Sequence, residues 1–537
     1  MSAPATVPEA LLATAGRSVG EYLFHLEDGV ASFSCAELAE RAGRGAQCLL
    51  ALGVEPGDTV GVLGPNRPEW VVWAFATWFA GAVLVPVQLP LRIRDPEAYV
   101  EQLRSVVGAA GCRRVLAEPG LAAALPDGLA MSWEEGGERS AADPVLPTPE
   151  DAAVIQFSSG STAAPKGARL THRAVAAQME LLREAYERED GSSRRLVNWT
   201  PFFHDLGLFP NLIRPAFSGA TIHQLPTDRF ARDPAEWLRL IERTGAAITA
   251  GPASAYGSAL RALERRGEKP DLGSLEAAYF GAEPVDPGVA ERLVASAPDL
   301  NLDPEALGAA YGLAEAVMAA SYTAPGAGLH FDRVSLAQLT GAGVAAPADG
   351  EEPVRMIATC GSPRTDLRIV GPQGGELPER RVGEIQLQGS SLMSGYVGEE
   401  APDPFRGGWL CTGDLGYLAD GELFVTGRAK DVIIAMGSNY YPDDFEWAAG
   451  RVEGVRPGRC IAFAKPETEE VVILVEARDG APDDLGSRVK RTVAASVGIG
   501  PSEVVVLPPG TLEKTTSGKL RRAAMREAYS SGQLIDR

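Results

Sequence analysis

The first part of the chain alternates short apolar runs with longer amphipathic segments. An apolar run over residues 58–64 predicts a buried strand, and residues 67–80 predict a helix with Pro68 in its first turn. A second apolar run, over residues 81–87, predicts the next strand. Strand–helix alternation at this spacing predicts parallel α/β sheets.

One uncharged run within this region, Val71–Val87, is about as long as the shortest membrane span, roughly 17 residues. Gly81 and Pro86 interrupt it. A buried helix that ends at Gly81, followed by a buried strand over residues 82–87, explains the run better. The sequence therefore predicts no membrane insertion.

The alternation continues through the middle of the chain. Asp95 and Pro96 are placed as N-cap and first residue of a helix, and residues 113–118 indicate a strand. Residues 119–149 are rich in Ala, Gly, Pro and acidic residues, which predicts a loop-rich connection. A strand at residues 150–157 then enters a glycine loop, which leads through a long turn into a helix predicted at residues 171–187.

The C-terminal part has a different pattern. Two strands are predicted at residues 459–465 and 470–478, then a helix at 482–498 and a strand at 502–510. These elements suffice for a small α+β domain of roughly 110 residues. Its start is placed near Gly427–Asp431.

Charge and cysteine content narrow the function classes. The net charge of −21 argues against broad electrostatic binding of nucleic acid, and Lys519–Arg526 is the one local basic stretch considered. The six cysteines are far apart and form no CxxC, so free thiols in a reducing compartment are predicted. The N-terminus has neither a basic start nor a long apolar core, so no signal peptide is predicted, and a cytoplasmic location is expected.

The glycine loop carries the first chemical signal. Gln156–His172 reads QFSSGSTAAPKGARLTH, with four small hydroxyl residues, two glycines and Lys166. It is not a Walker A loop, because Pro165 stands where the second glycine is needed and Gly167 follows the lysine. Hydroxyls, backbone N–H groups and one cation still suit a triphosphate. A Ser/Gly-rich surface loop with a chance lysine is the alternative interpretation.

A second glycine motif does not support a nucleotide site. Gly341–Ala346 fits GxGxxA, but Pro347 and an acidic stretch follow it. No helix N-terminus can therefore receive a pyrophosphate there, which argues against a dinucleotide fold.

Three further motifs follow the glycine loop in order: YGLAEA at 311–316, TGDLGYLADGELFVTGRAKD at 412–431 and TTSGKLRR at 515–522. Together the four motifs resemble those of the adenylate-forming superfamily of acyl-CoA synthetases, peptide-synthetase adenylation domains and luciferase. The resemblance implies a large N-terminal domain of stacked α/β sheets with a small β-barrel-like subdomain, and a small mobile α+β C-terminal domain. It implies boundaries at residues 1–427, a hinge at 428–430, and a C-terminal domain at 431–537.

Within the superfamily, the chain looks most like the fatty acyl-AMP ligase branch. The stretches PFFHDLGLF (201–209), GAEPV (281–285) and NYYPDDFEW (439–447) carry this likeness. Ala163 also stands where most synthetases have a third glycine. Fatty acyl-AMP ligases carry an insertion that hinders use of CoA. Residues 321–363 are the corresponding region, and the sequence leaves open whether the insertion is present.

The resemblance implies roles for individual residues. The reaction joins a carboxylate to the α-phosphate of ATP and then passes the acyl group to a thiol. The implied ATP-binding residues are Ser158, Ser159, Gly160, Ser161, Thr162, Lys166, Gly281, Ala282, Glu283, Tyr311, Gly312, Leu313, Asp414, Arg428 and Lys519. In this set the glycine loop and Lys166 hold the β- and γ-phosphates, Tyr311 stacks on adenine, and Asp414 accepts the ribose hydroxyls.

The remaining implied roles concern the metal, the acid and the thiol. Glu315 and Thr162 would bind Mg²⁺. Lys519 would stabilise charge in the transition state, and His204 would lie beside the reacting carboxylate. The substrate set is His204, Asp205, Gly281 and Gly312, the hinge is Lys430, and the thiol arm is approached by Gly437 and Ser438. For each role a structural alternative exists: a solvated helix acid, a turn aspartate, a surface lysine or a core histidine.

The implied cofactors are ATP and Mg²⁺, with CoA or the phosphopantetheine of a carrier protein as acceptor. The leading hypothesis is an acyl-AMP ligase that transfers to a carrier protein. An acyl-CoA synthetase, an enzyme whose partner performs the thiol step, and a silent regulatory homologue are the alternatives. The acid itself is left open among fatty, polyketide, aryl and terpenoid carboxylates.

Overall fold

A computed structural model gives the structure of the chain. It describes residues 4–90, 93, 95–123, 125, 128–134, 143–157, 166–350, 352–398, 402–465, 468–514 and 519–534. The chain divides into two compact units. The first contains Met1–Ala282, Arg292–Gly328 and Gln388–Pro404, and the second contains Glu283–Glu291, Leu329–Leu387 and Phe405–Arg537. The hinge at 428–430 stays a prediction.

The strands, numbered along the chain, are as follows: β1 Glu21–His25, β2 Val30–Ser34, β3 Thr59–Leu63, β4 Val83–Pro86, β5 Cys112–Ala117, β6 Ala130–Ser132, β7 Ala152–Phe157, β8 Gly167–Thr171, β9 Leu196–Asn198, β10 Thr221–Gln224, β11 Ile248–Gly251, β12 Ala277–Phe280, β13 Leu307–Gly312, β14 Ala319–Tyr322, β15 Phe331–Ser335, β16 Val354–Ala358, β17 Ser362–Pro363, β18 Asp366–Val370, β19 Gly383–Gln388, β20 Gly395–Tyr396, β21 Phe405–Arg406, β22 Trp409–Ala419, β23 Glu422–Arg428, β24 Ile433–Ala435, β25 Ser438–Tyr440, β26 Val455–Ala464, β27 Val471–Ala477 and β28 Glu503–Leu507.

The α-helices are as follows: α1 Val7–Gly16, α2 Cys35–Ala51, α3 Pro68–Phe79, α4 Pro96–Ala109, α5 Pro119–Ala122, α6 His172–Leu181, α7 Arg183–Tyr186, α8 Asp205–Gly207, α9 Arg214–Ser218, α10 Thr227–Arg232, α11 Ala235–Thr244, α12 Ala253–Arg266, α13 Pro287–Ser296, α14 Leu336–Ala342, α15 Pro442–Gly450, α16 Leu485–Val497 and α17 Arg522–Ser530. A π-helix spans Leu208–Ile213, and short 3₁₀ turns span Ala297–Leu300, Pro304–Ala306, Ala314–Ala316 and Ala429–Asp431.

Two sheets build the first unit. One has the order β14-β13-β12-β11-β9-β10-β1-β2 within this unit. Strands β9 to β13 pair with one another in parallel. The carboxyl ends of these five strands therefore lie along one edge of the sheet, and this edge positions the candidate site.

The second sheet of this unit has the order β20-β8-β7-β4-β3-β5-β6. Its strands β3 to β7 also pair in parallel, which confirms the α/β class predicted from the alternation. The predicted elements recur within a few residues, because local caps fix them. Asp95, for example, accepts the N–H of Ala98 at 3.0 Å and begins α4.

The apolar run at Val71–Val87 forms a buried helix and a buried strand, as predicted. Helix α3 ends at Phe79, Gly81 has φ +74°, and β4 follows. Trp70, Trp78 and Phe75 of this helix are fully buried. Among the described residues, none of the helices has both the length and the apolar character that a membrane crossing requires.

The helix predicted after the glycine loop is present as α6 and α7, but the long turn predicted before it contains a strand. Strand β8 occupies the end of that predicted turn, and it pairs antiparallel with β7. Phe157 pairs with Gly167 in this hairpin, so both ends of the loop are held together. A Cβ on Gly167 would approach Ile155 Cγ2 and Val397 Cγ2 to 2.8 Å each, so the strand position requires glycine.

The second unit consists of smaller sheets. Strands β18-β19-β22-β21 form one, with β23 also paired to β22, and β26-β27-β28 form another. The β26-β27-β28 sheet packs with α15 and α16 around buried Phe445, Ile473 and Val489. The predicted α+β character of the C-terminal part is thereby confirmed.

The basic stretch near the C-terminus is paired with acids. Arg522 Nη2 lies 2.8 Å from Glu446 Oε1, and Arg521 Nη1 lies 2.9 Å from Glu513 Oε2. Carboxylates therefore balance this part of the positive stretch. None of the six cysteines, all of them described, forms a disulfide, as predicted, and four of them are buried.

Candidate active site

Three chain segments predicted to carry site residues lie at or after the carboxyl ends of β9, β12 and β13, three parallel strands of one sheet. His204 comes after β9, Gly281 and Ala282 come directly after β12, and Tyr311 and Gly312 end β13. Since carboxyl ends of parallel strands share one edge, these residues occupy the part of an α/β sheet where ligands usually bind. The structure thus brings one group of predicted site residues to a single edge of the first unit.

His204 is half-buried and begins α8. Its Nδ1 lies 2.6 Å from Asp205 Oδ1 and 3.2 Å from the backbone nitrogen of Leu206. An unprotonated Nδ1 accepts the N–H of Leu206, whereas a proton on Nδ1 would donate to Asp205 and leave Nε2 as the acceptor nitrogen. A π-helix follows directly at Leu208–Ile213, a distortion that often accompanies functional sites.

The glycine after β12 and its neighbour are held in a narrow backbone geometry. The N–H of Gly281 donates to Gly251 O at 3.1 Å, and Ala282 has φ +69°. A positive φ at a residue with a Cβ costs energy and occurs often at functional sites. Gly281 is buried, whereas Ala282 is exposed.

The end of β13 makes a close turn. A Cβ on Gly312 would lie 1.5 Å from Met318 O, so only glycine fits. Tyr311 and Leu313, on either side, are each 8% exposed. The turn from Gly312 to Met318 therefore folds back tightly, with Glu315 in its middle.

Val317, the residue after the 3₁₀ turn Ala314–Ala316, has a strained backbone. Val317 has φ +62° and ψ −59°, and the N–H of Met318 donates to Ala316 O at 2.7 Å. This is a γ-turn with positive φ, a rare and strained conformation, and a β-branched residue occupies its centre. Val317 is fully buried, and its packing holds the turn that carries Glu315.

Among the phosphate-loop residues, Ser158, Ser159, Gly160, Ser161 and Thr162 lie outside the described residues. Lys166, at the end of the loop, is exposed, and its Nζ lies 5.6 Å from the ring centroid of Tyr396. The Tyr396 hydroxyl donates to Glu315 Oε1 at 2.7 Å. One tyrosine therefore contacts both the predicted phosphate lysine and the predicted metal carboxylate.

Three residues of this region were not identified from the sequence: Asn66, Gln156 and Tyr396. Asn66 donates to Thr200 O at 2.8 Å and accepts the N–H of Phe202 at 3.0 Å. Gln156 Nε2 donates to Phe203 O at 2.8 Å. These amides anchor the segment before His204 to the second sheet. Of the three, only Gln156 had a local sequence signal of a special role, since it is a polar residue at the end of a buried apolar run.

The second unit pairs two more predicted residues. Asp414 on β22 is opposite Arg428 on β23, and Arg428 Nε lies 2.9 Å from Asp414 Oδ1. The Asp414 side chain is 7% exposed and that of Arg428 is 52% exposed. A buried carboxylate with an exposed guanidinium beside it is suited to polar hydroxyl groups and to an anion.

The hinge and thiol-arm candidates lie close together in sequence. Lys430 is exposed within a 3₁₀ turn that follows β23. Strands β24 and β25 form a hairpin in which Ala435 pairs with Ser438. Its two loop residues, Met436 and Gly437, have φ +51° and +73°, as a tight hairpin turn requires. Met436 is 85% exposed at the tip.

The last two candidates also belong to the second unit. Lys519 is half-buried beside an isolated bridge between Lys514 and Leu520. Residues 515–518, the first four of the TTSGK motif, lie outside the described residues. Glu283 is half-buried.

The carboxylate of Glu315 fits a magnesium ion. Mg²⁺ in nucleotide sites usually takes one or two protein carboxylates, with phosphate oxygens and waters completing its octahedron. Among the described residues no cluster of three or more His, Cys, Asp or Glu side chains could hold a metal by itself. The single carboxylate of Glu315 is what the protein would supply if phosphate oxygens and waters completed the coordination.

Comparison with known proteins identifies the family of this chain. Residues 14–397 match the family model described as AMP-binding enzyme. The chain is 38% identical over 507 residues to Rv1013 of Mycobacterium tuberculosis, which is designated a ligase, across 91% of this chain and 93% of that protein. It is 34% identical to a Caulobacter vibrioides protein designated an acyl-CoA synthetase, across 99% and 96%.

A solved structure extends the likeness to the whole fold. The structure comes from work on fatty acyl-adenylate ligases of E. coli and L. pneumophila. It superposes with a TM-score of 0.91 at 29% identity, over 99% of this chain and 98% of that one.

Proposed function

The chain belongs to the AMP-binding enzymes of the adenylate-forming superfamily, and we propose that it activates a carboxylic acid with ATP. A carboxylate oxygen attacks the α-phosphorus of ATP, and the bond from that phosphorus to the bridging oxygen of pyrophosphate breaks. The products are an acyl-adenylate and pyrophosphate. The carboxylate, a poor acyl donor, thereby acquires AMP as a good leaving group.

One observation carries this proposal: His204, Gly281, Tyr311 and Glu315 lie at or after the carboxyl ends of three parallel strands of one sheet, β9, β12 and β13. In the proposal His204 binds the acid carboxylate, Gly281 and Tyr311 line adenine, and Glu315 holds Mg²⁺. Magnesium would neutralise phosphate charge. The glycine loop and Lys166 would grip the β- and γ-phosphates.

Residues of the second unit complete the proposed set. Asp414 accepts the ribose hydroxyls and Arg428 contacts the ribose or phosphate region. Lys519 stabilises the charge that develops between the carboxylate and the α-phosphate. Such a cation is typically worth about 10²–10³ in rate. Lys430 is proposed as the hinge residue.

For the second half-reaction we propose a carrier-protein thiol as acceptor. The support is how residues 329–358 pack within the second unit. Val334 and Leu339, on β15 and α14, share a buried cluster with Tyr441. On β16, the Nε atom of Arg355 lies 2.8 Å from Oδ1 of Asp444.

Those contacts tie this segment to the region directly after the thiol-arm hairpin. If CoA could be received only by moving the hairpin together with the residues that follow it, these contacts would have to break. The corresponding region of fatty acyl-AMP ligases hinders CoA use, which agrees with this interpretation. An acyl-CoA synthetase is the second candidate, because the Caulobacter relative is designated one.

The test is mass spectrometry of reactions containing the enzyme, Mg-ATP and a mixed panel of carboxylic acids. One reaction contains CoA and a parallel one contains a phosphopantetheinylated carrier protein. Acyl-AMP and acyl-carrier without acyl-CoA is the expected result. Acyl-CoA would refute the carrier proposal and leave adenylation standing. Absence of acyl-AMP with every acid would favour the silent homologue.

A further inference from the structure

The strand β20 is fixed directly beside the end of the phosphate loop. Tyr396 of β20 pairs with Ala168 of β8, and the N–H of Val397 donates to Gly167 O at 2.8 Å. The N–H of Ser394 donates to Arg169 O at 2.9 Å. The backbone of Tyr396 is therefore held by the strand that begins one residue after the loop's lysine.

The same segment also holds Glu315 from two directions. The N–H of Met393 donates to Glu315 O at 2.8 Å, which fixes its backbone. The Tyr396 hydroxyl donates to Glu315 Oε1 at 2.7 Å, which fixes its side chain. A hydrogen bond to a charged carboxylate is among the stronger ones, so one carboxylate rotamer is favoured.

The ring of Tyr396 serves a second contact. Lys166 Nζ lies 5.6 Å from its centroid, within the range in which a cation is attracted to an aromatic face. Glu315 and Lys166 are 149 positions apart in sequence, and Tyr396 contacts both through different parts of its side chain.

We infer that Tyr396 is a positioning residue that sets the metal-binding carboxylate and the phosphate-binding lysine at a fixed spacing before Mg-ATP arrives. The inference rests on the proposed roles of Glu315 and Lys166. The hydroxyl acts on Glu315, and the ring acts on Lys166. Partners that orient a metal ligand commonly change metal affinity by 10–100-fold when removed.

The two contacts can be separated by two substitutions. Tyr396→Phe removes the hydroxyl and keeps the ring, whereas Tyr396→Leu removes both. The matched control is Tyr529→Phe. Tyr529 also donates to a glutamate, Glu503, and the Lys465 ammonium lies 3.6 Å from that carboxylate, all in the second unit. It offers the same residue types away from the proposed site.

The experiment measures ATP binding to the full chain by calorimetry across a magnesium series that begins in EDTA. Magnesium is expected to increase the affinity for ATP. For Tyr396→Phe we expect the magnesium concentration that gives half of this increase to rise about tenfold. Its ATP affinity in EDTA should stay at the wild-type value. For Tyr396→Leu we expect the same rise and a further loss of roughly two- to fivefold in EDTA. Tyr529→Phe should match the wild type in both.

Glu315→Gln separates this inference from the function beneath it. If Glu315→Gln loses the magnesium response while Tyr396→Phe keeps it unchanged, the inference is wrong and the metal role of Glu315 stands. If Glu315→Gln keeps the full response, the metal role fails and the inference falls with it. If both single variants weaken the response and the double variant is no worse than Glu315→Gln, the hydroxyl acts through Glu315, as inferred.

Discussion

The buried carboxylate of Asp414 allows a quantitative test of nucleotide recognition. Its side chain is 7% exposed, and Arg428 Nε lies 2.9 Å from Oδ1. Hydrogen bonds to a charged group contribute about 1.5–3 kcal/mol each. If Asp414 accepts both ribose hydroxyls, removal of one hydroxyl from the ligand should weaken binding by about 10- to 150-fold, since roughly 1.4 kcal/mol is tenfold.

The perturbation is Asp414→Asn, which keeps the shape of the side chain and removes its charge. We expect wild-type protein to bind AMP at least about tenfold more tightly than 2′-deoxy-AMP or 3′-deoxy-AMP. In the variant both preferences should shrink to about threefold or less, because a neutral amide makes weaker hydrogen bonds to hydroxyls. Calorimetry with the three nucleotides requires no knowledge of the acid.

The matched control is Asp332→Asn, also in the second unit. Asp332 is 13% exposed, lies 2.9 Å from Arg380 Nη1, and accepts the hydroxyl of Tyr417 at 2.8 Å. It is an arginine-paired, largely buried aspartate without a proposed ligand role, so its variant should keep the wild-type preferences. If Asp414→Asn also kept them, the assignment of Asp414 to the ribose would be refuted. If both variants lost them, the effect would be structural.

Single residues allow three more tests. Lys519→Ala should lower the rate of acyl-AMP formation about 10²- to 10³-fold with AMP binding nearly unchanged, and an unaltered rate would remove Lys519 from the mechanism. Gly312→Ala should abolish detectable adenylation, since its Cβ would lie 1.5 Å from Met318 O, whereas Gly326→Ala, with no atom within 4 Å of its Cβ, should leave the rate within about threefold despite its φ of +78°. Burial raises the pKa of Asp444 to about 6 from its ordinary value of 3.8. Its stabilising contribution is therefore complete below about pH 3.8 and lost as the pH rises through about 6. The melting temperature of the wild type relative to Asp444→Asn should fall over this window, by the equivalent of about 3 kcal/mol, and a constant difference would contradict the raised pKa.

The sequence predicts much of the first unit because its signals are local. The segments around β3, α3, β4 and α4 carry apolar runs bounded by turn residues or by an N-cap, and their positions follow from nearby residues alone. The hairpin strand β8 was not predicted. Its five residues include an exposed arginine and offer no clear alternation, and its pairing with β7 depends on the register across the loop.

In the candidate site, too, the sequence indicates residues that belong to local motifs but not the contacts between distant segments. Motif order identified Asp414 and Arg428, but their ion pair depends on the register of β22 and β23, with a shift between Leu415 and Gly416. Tyr396 carried no signal, because its contact with Glu315 spans 81 positions. Such contacts arise from tertiary packing, which propensity and periodicity do not encode.

The turn around Glu315 suggests why one glycine and one strained valine lie so near a proposed metal ligand. If the Glu315 side chain were free to change rotamer, binding of Mg-ATP would have to restrict it, and ordering a rotamer-rich side chain costs about 0.5–1.5 kcal/mol of binding free energy. Because Gly312 and the γ-turn at Val317 fix the backbone around Glu315, part of this ordering takes place during folding rather than during binding. Strain of about 1–3 kcal/mol at Val317 is offset by its complete burial, worth about 1.5–3 kcal/mol. The fold therefore has the means to hold Glu315 in place before its ligand arrives, and the Tyr396 hydroxyl fixes the remaining freedom of the side chain.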